Sequence, residues 1–194
     1  MNPPVDALKF KLTIAYDGTA YQGWQWQKTG TGVQELIETA LARLFSSKPR
    51  LTSSSRTDTG VHALGMVAHV EIPRAEFKMP ERQLALAINS GLPDDIRVLT
   101  ARRMPQKFHA RFDARARAYT YELINRRSPL ALDIGRAWRI GRPLDVRMMD
   151  EAAQVLRGNH DFTTFRSTEC QSKSPVKTEM GFSLNSYFSI LGLG

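Results

Sequence analysis

Apolar positions in the N-terminal half of the chain switch repeatedly between a period of two and a period near 3.6. Phe10, Leu12, Ile14 and Tyr16 alternate with Lys9, Lys11, Thr13 and Ala15, the pattern of a strand with one buried face. Asp17-Gly18 then opens a turn-rich loop. Thr31 and Gln34 have capping-box spacing ahead of Val33, Leu36, Ile37, Ala40, Leu41 and Leu44, which recur as on a helix. Leu51 to Ser55 and Met66 to Ile72 read as strands on either side of a polar loop. Pro80, at a first-turn position, opens a second helix through Leu84, Leu86, Ala87 and Ile88 that ends near Gly91. With Ile96 to Arg102 as the next strand, the element order is β-α-β-β-α-β.

The same grammar starts again further on. Ala118 to Ile124 alternates as a strand, Arg126 to Leu144 is a loop with a short strand at Ala137 to Ile140, and Val146, Met149, Ala153 and Leu156 mark a helix stopped by Gly158. The predicted class is α+β. Two ferredoxin-like split β-α-β units would lie side by side in one continuous mixed or antiparallel sheet, with helices on one face and the other face free for a ligand. The expected division is residues 1–105 as the first half, 106–179 as a partial second half and 180–194 as a divergent tail.

Between the two central strands of the first half lies Arg56-Thr57-Asp58-Thr59-Gly60-Val61-His62-Ala63, preceded by Thr52, Ser53, Ser54 and Ser55. A guanidinium two residues away favours the charged form of Asp58, and Gly60 allows a tight or left-handed turn that exposes the carboxylate. That is the setting of a nucleophile. A Ser/Thr-rich surface turn with an incidental ion pair accounts for the octapeptide equally well, because short motifs match by chance.

Composition narrows the partners. The 194 residues carry 27 Lys and Arg against 19 Asp and Glu, a formal charge of +8, and suit one large domain or two small ones with a real core. No apolar run approaches the roughly 18 residues of a membrane span. Met1-Asn2-Pro3-Pro4-Val5-Asp6 lacks the basic and apolar segments of a secretory signal, so a cytoplasmic location without membrane contact is expected. Cys170, the one cysteine, excludes an internal disulfide framework, and His62, His69, His109 and His160 do not have zinc-ligand spacing, so no metal is expected. The positive charge gathers in Arg97, Arg102, Arg103, Lys107, Arg111, Arg115, Arg117, Arg126 and Arg127, with few acids among them (Asp113, Glu122). A polyanion fits that tract, and Phe108, Phe112, Tyr119 and Tyr121 between the charges are able to stack on unpaired bases. A solvated charged face over core aromatics is the plainer alternative.

Taken together the blocks resemble the tRNA pseudouridine synthase A family. They are Tyr16-Asp17-Gly18 with Gly23-Trp24-Gln25, Val33-Gln34-Glu35, Arg56-Thr57-Asp58 with Gly60-Val61-His62-Ala63, Asn89 with Leu92-Pro93, Phe108-His109-Ala110-Arg111-Phe112, Tyr119 and Tyr121, and His160-Asp161-Phe162 with Phe165-Arg166, Cys170 and Ser174-Pro175. They occur in family order from about Leu8 to Thr178. The resemblance implies an isomerase acting on uridines of the anticodon arm of tRNA, with Asp58 as nucleophile and Arg56 as its charge partner. It further implies Tyr119 against the target uracil, His62, Arg111, Arg115 and Arg117 as substrate-binding residues, tRNA as partner, no cofactor and a homodimer. A carboxylate suits this reaction, which breaks an N-glycosidic bond, turns the base and joins its C5 to the sugar without redox change. A uracil in a stem must first be flipped out, a task for an aromatic surface and basic strand-tracking residues.

The chain departs from the family pattern in places. Ser55 stands where the family usually has Gly, Thr120 where a basic residue often separates the two tyrosines, and Met180 to Gly194 does not resemble the strand, long helix and final strand with which family members continue. The second split unit is therefore expected to be incomplete. Two other readings follow. A non-catalytic RNA-binding module would keep the basic tract and aromatics without the complete pocket. Asp58-Thr59-Gly60 is also the tripeptide of aspartic proteases, but there two carboxylates share a proton, which the neighbouring Arg56 opposes.

Overall fold

The structure, a computed structural model, describes residues 6–25, 30–165, 174–184 and 187–193. Arg166 and Cys170 lie outside the described residues. The chain forms two compact units, Met1–Asp113 and Ala114–Gly194.

In the first unit, strands β1 (Ala7–Tyr16), β2 (Leu51–Ser53), β3 (Ala63–Pro73) and β4 (Ile96–Met104) form a sheet in the order β2-β3-β1-β4, with helices α1 (Val33–Leu44) and α2 (Leu84–Asn89) in the two crossovers. Every pairing is antiparallel, which is the ferredoxin-like split β-α-β arrangement. The alternation that predicts β1 also sets its register. Leu8, Phe10, Leu12 and Ile14 face Ile72, Val70, Ala68 and Met66 across the ladder, and all eight are buried. Val33, Ile37, Ala40 and Leu41 of α1, Leu84 and Ile88 of α2, and Phe45 cover that face. Both helices therefore serve one side of the sheet, as the sequence predicts.

The start of α1 differs from the capping-box expectation. Thr31 is one position too early: the N-cap is Gly32, with no side-chain cap. The free amides of Val33 and Gln34 donate instead to the carbonyls of Gly23 (3.1 Å) and Trp24 (2.9 Å), so the preceding loop caps the helix with its backbone. The Gln34 amide reaches Glu38 Oε1 at 2.8 Å and the Leu51 carbonyl at 3.2 Å, while Glu38 accepts the Leu51 N–H at 2.9 Å. The pair ties α1 to β2. Pro80 caps a short 3-10 turn, Glu81–Gln83, ahead of α2.

The opposite face is not wholly free for a ligand, contrary to expectation. At one end residues 105–113 fold back over it. Lys9 is buried there, its Nζ 2.9 Å from Glu71 Oε1 and donating to the carbonyls of Gln106 (2.7 Å) and Phe108 (2.9 Å). Buried His69 accepts the Ala110 N–H at Nδ1 (3.1 Å) and meets the rings of Phe108 and His109 edge-on. A buried ammonium is tolerable only when such partners replace its water.

The second unit has β5 (Arg117–Asn125), β6 (Trp138–Ile140), α3 (Val146–Gln154), β7 (Gly158–Asp161), β8 (Val176–Leu184) and β9 (Tyr187–Leu193). The strand order is β6-β5-β9-β8-β7, parallel only between β5 and β6. Asp145 caps α3 by accepting the Met148 N–H at 3.0 Å. Strand β9, the last of the second unit, stands inside its sheet between β5 and β8, whereas β4, the last of the first unit, is at an edge. The fold is α+β with mainly antiparallel sheet, but among the described residues the strands pair in two sheets, one in each unit, rather than in one continuous sheet. No helix of the described residues is long and apolar enough to cross a membrane.

His69 makes stability pH-dependent in a defined window. Burial first, then the charge of Lys9 and next His109, push its imidazole down from 6.5 to about 4, against a smaller opposing effect of Glu71. Above about pH 6.5 neither folded nor unfolded chain protonates this ring, and it contributes no pH dependence. Between about 6.5 and 4 the unfolded chain binds a proton that the folded chain refuses, so stability falls as the pH falls, by about 3 kcal/mol in all. His69→Gln, which keeps an acceptor but does not titrate, should flatten this part of the curve by about one proton in urea unfolding from pH 7 to 4. An unaltered slope would show that the ring titrates normally in the fold.

Candidate active site

The polar loop between β2 and β3 presents Asp58. Its backbone is set by direct contact with the loop that follows β1. The Thr57 carbonyl accepts the Trp24 N–H at 3.0 Å, and the Tyr21 carbonyl accepts the Gly60 N–H at 3.3 Å. The Val61 N–H closes a turn onto the Asp58 carbonyl at 3.2 Å, with Gly60 at φ +79° in the left-handed region. Gly18 and Gly23 explain why the two loops come so close. A Cβ at Gly18 would overlap the Val61 carbonyl, and one at Gly23 would stand 2.5 Å from the Thr57 oxygen, with Gly23 itself at φ +81°. Only glycine fits at either place.

Side chains extend the clamp. The Tyr16 hydroxyl and Thr57 Oγ1 are 2.7 Å apart, joining the end of β1 to the residue before Asp58. His62 Nδ1 lies 3.1 Å from the Gly18 nitrogen and 3.1 Å from Asp17 Oδ1. An amide can only donate, so toward Gly18 the ring nitrogen is an acceptor. Asp17 Oδ1 also accepts the Thr19 N–H (3.0 Å) and hydroxyl (2.6 Å). Asp17 in turn donates its N–H to the Asp95 carbonyl at 2.9 Å, and the buried Tyr21 hydroxyl donates to Asp95 Oδ1 at 2.6 Å. Burial, followed by that bond to Asp95, raises the Tyr21 phenol well above its usual value and keeps it a donor. Trp24, beside Tyr16 with ring centroids 6.0 Å apart, seats this loop in the core.

The side chains of Asp58 and Arg56 are both exposed on this support, and His62 belongs to the same loop. Arg111 is exposed in residues 105–113, the segment anchored by Lys9 and His69. Arg115, Arg117 and Tyr119 belong to the second unit. There Arg117 opens β5 partly covered, and exposed Tyr119 and Tyr121 follow at alternate positions on the same strand face. Tyr16-Asp17-Gly18 and Gly23-Trp24 are among the blocks that carry the family resemblance, without a part in the site expected for them, and the sequence pattern did not single out Tyr21 or Asp95. The glycines flanking a short aromatic stretch were the available signal.

A split β-α-β unit with an exposed carboxylate on a clamped β2–β3 loop, within an α+β protein, defines the class. A family model described as tRNA pseudouridine synthase matches residues 12–113, which span the loop and its support. The chain is 52% identical to the tRNA pseudouridine synthase A of Afipia carboxidovorans over 171 residues, 88% of this chain and 69% of that protein. It is 47% identical to that of Rhodospirillum rubrum over 172 residues, covering 88% and 61%, and 44% identical to that of Parvibaculum lavamentivorans over 180 residues, covering 92% and 72%. The chain thus spans about two thirds of the length of the curated relatives it matches. It belongs to the tRNA pseudouridine synthase family.

The clamp predicts a contrast between two glycines with similar positive φ. Gly23→Ala brings a Cβ against the Thr57 carbonyl as well as backbone strain, whereas a Cβ at Gly60 meets nothing within 4 Å. Gly60→Ala should cost about 1–2 kcal/mol in urea unfolding, and Gly23→Ala at least about 2 kcal/mol more. Equal losses would mean the loops do not pack as closely as described.

Proposed function

We propose that this chain isomerises uridine to pseudouridine in the anticodon arm of tRNA, with Asp58 as nucleophile. The observation that carries the reading is the clamped loop with its exposed carboxylate, in a chain of this family. Asp58 assists cleavage of the N-glycosidic bond by bonding the sugar carbon or the base. The freed uracil turns, its C5 joins the sugar as the carboxylate departs, the C5 proton is released to solvent and N1, freed from the sugar, takes up a proton. Reactant and product are isomers, so no redox partner or energy source is consumed. Arg56 is the charge partner of Asp58, and Tyr119 lies against the flipped uracil. Arg111, Arg115 and Arg117 track the phosphates, supported by their exposure or strand-face placement beside stacking aromatics. In this reading the working enzyme is a cytoplasmic homodimer that needs no cofactor.

Asp58→Asn keeps the size of the side chain but removes the anionic nucleophile. Tritium release from C5-tritiated uridine in tRNA should vanish while gel-shift affinity stays within about threefold, because binding rests on many phosphate contacts. Release near the parental rate would remove Asp58 from the mechanism. Replacing Arg115 and Arg117 by Ala should flatten the slope of log affinity against log salt by about one unit per lost contact. A slope unaltered in filter binding would show that these side chains do not meet phosphate.

A further inference from the structure

We propose that His62 is a positioning residue for Asp58: Nδ1, accepting the Gly18 N–H, locks the turn 58–61 onto the loop after β1. This rests on the reading of Asp58 as nucleophile and departs from the expectation that His62 binds substrate. Three features of the structure converge on this role. Nδ1 is engaged within the protein, 3.1 Å from the Gly18 nitrogen and beside Asp17. Gly18 is the residue whose Cα faces the Val61 carbonyl with no room for a Cβ, so the bond pins the place where the two backbones touch. His62 directly follows Val61, whose N–H closes the turn onto the Asp58 carbonyl, so a shift of the ring is carried to Asp58 through one short turn. Trp24 N–H and Tyr16 hold Thr57, ahead of Asp58, while behind it the chain is held by the longer Gly60 N–H bond to the Tyr21 carbonyl (3.3 Å) and by His62. With the His62 tie released, the remaining bonds keep the fold of the loop but leave the turn behind Asp58 on one long hydrogen bond, and a small displacement of a reacting group lowers the rate far more than it lowers binding.

The test uses the geometry of the ring. Asn places a polar atom where Nδ1 stands; Gln reaches toward the Nε2 position; Ala supplies neither. In the full chain, His62→Ala and His62→Gln should lower kcat for tritium release from C5-tritiated tRNA about tenfold, with KM and gel-shift affinity within about twofold, and His62→Asn should recover most of the loss. Exchange of the Gly18 amide, followed by NMR, should accelerate in the Ala and Gln variants and slow again in Asn. A raised KM with unchanged kcat would make His62 a substrate contact and overturn the proposal. Asn and Gln variants equally impaired, or a Gly18 amide indifferent to His62→Ala, would do the same. Asp58→Asn run alongside separates the two claims: if it still releases tritium, or if the parent releases none, the nucleophile reading fails by itself, and Gly18 exchange decides whether the His62 clamp exists.

Discussion

The close approach of two backbones, residues 57–61 against Gly18 and Gly23, is the constraint on which the site depends. Hydrogen bonds between main chains are short-range, and these loops reach them because no Cβ stands between. The loop that receives the contact is itself fixed by the core. Tyr16 ends β1, Tyr21 and Trp24 are buried, and the carbonyls of Gly23 and Trp24 cap α1. Asp58 is exposed, yet its backbone inherits the rigidity of the hydrophobic interior. The helix that packs the sheet and the loop that carries the carboxylate are both tied to the backbone of residues 23 and 24, the one through their carbonyls and the other through the Trp24 N–H.

A second tie works on the polar face of the sheet. Lys9 and His69 sit at positions where alternation directs side chains away from the core, and both are buried under residues 105–113. Lys9 is held by Glu71 and two carbonyls, His69 by the Ala110 amide. Partners replace the lost water, so the polar pair anchors a segment that has almost no regular structure. Exposed Arg111 and Phe112 therefore project from a fixed base, with Phe112 stacked on His109 at 4.2 Å.

How much of this was legible follows from range. One-sided burial imprints a period on β1 and α1, so Phe10, Leu12, Ile14 and Tyr16, and the apolar stripe of α1, announced themselves. Asp58 and Gly60 were legible for a similar reason: the turn is local, and only glycine adopts its φ easily. The capping box at Thr31 failed because the capping groups come from Gly23 and Trp24 rather than from an adjacent side chain. The covering of Lys9 was hidden as well, since a lysine in an alternating strand reads as solvated and its partner Gln106 lies 97 positions away. In the second unit the short strand read at Ala137 to Ile140 is β6, whereas β7, four residues long, is too short to set a period. The placement of β9 between β5 and β8 is a choice among pairings that alternation alone does not make.

For Asp58, the nucleophile we propose, a place on a loop raises a conflict between access and order. Burial would fix a carboxylate but strip its water and close it to a base that must arrive on a polymer. Exposure leaves it open but free to wander, and reaction demands a defined approach. The first unit resolves the conflict by ordering the main chain and leaving the side chain in solvent. Glycines remove the side chains that would separate the loops, carbonyls of the α1 entrance take up the amides, and Tyr16 and His62 fasten Thr57 and the end of the turn on either side of Asp58. Only the torsions of one short side chain remain to be fixed when an RNA docks, which makes the choice of Asp over the longer Glu part of the same design.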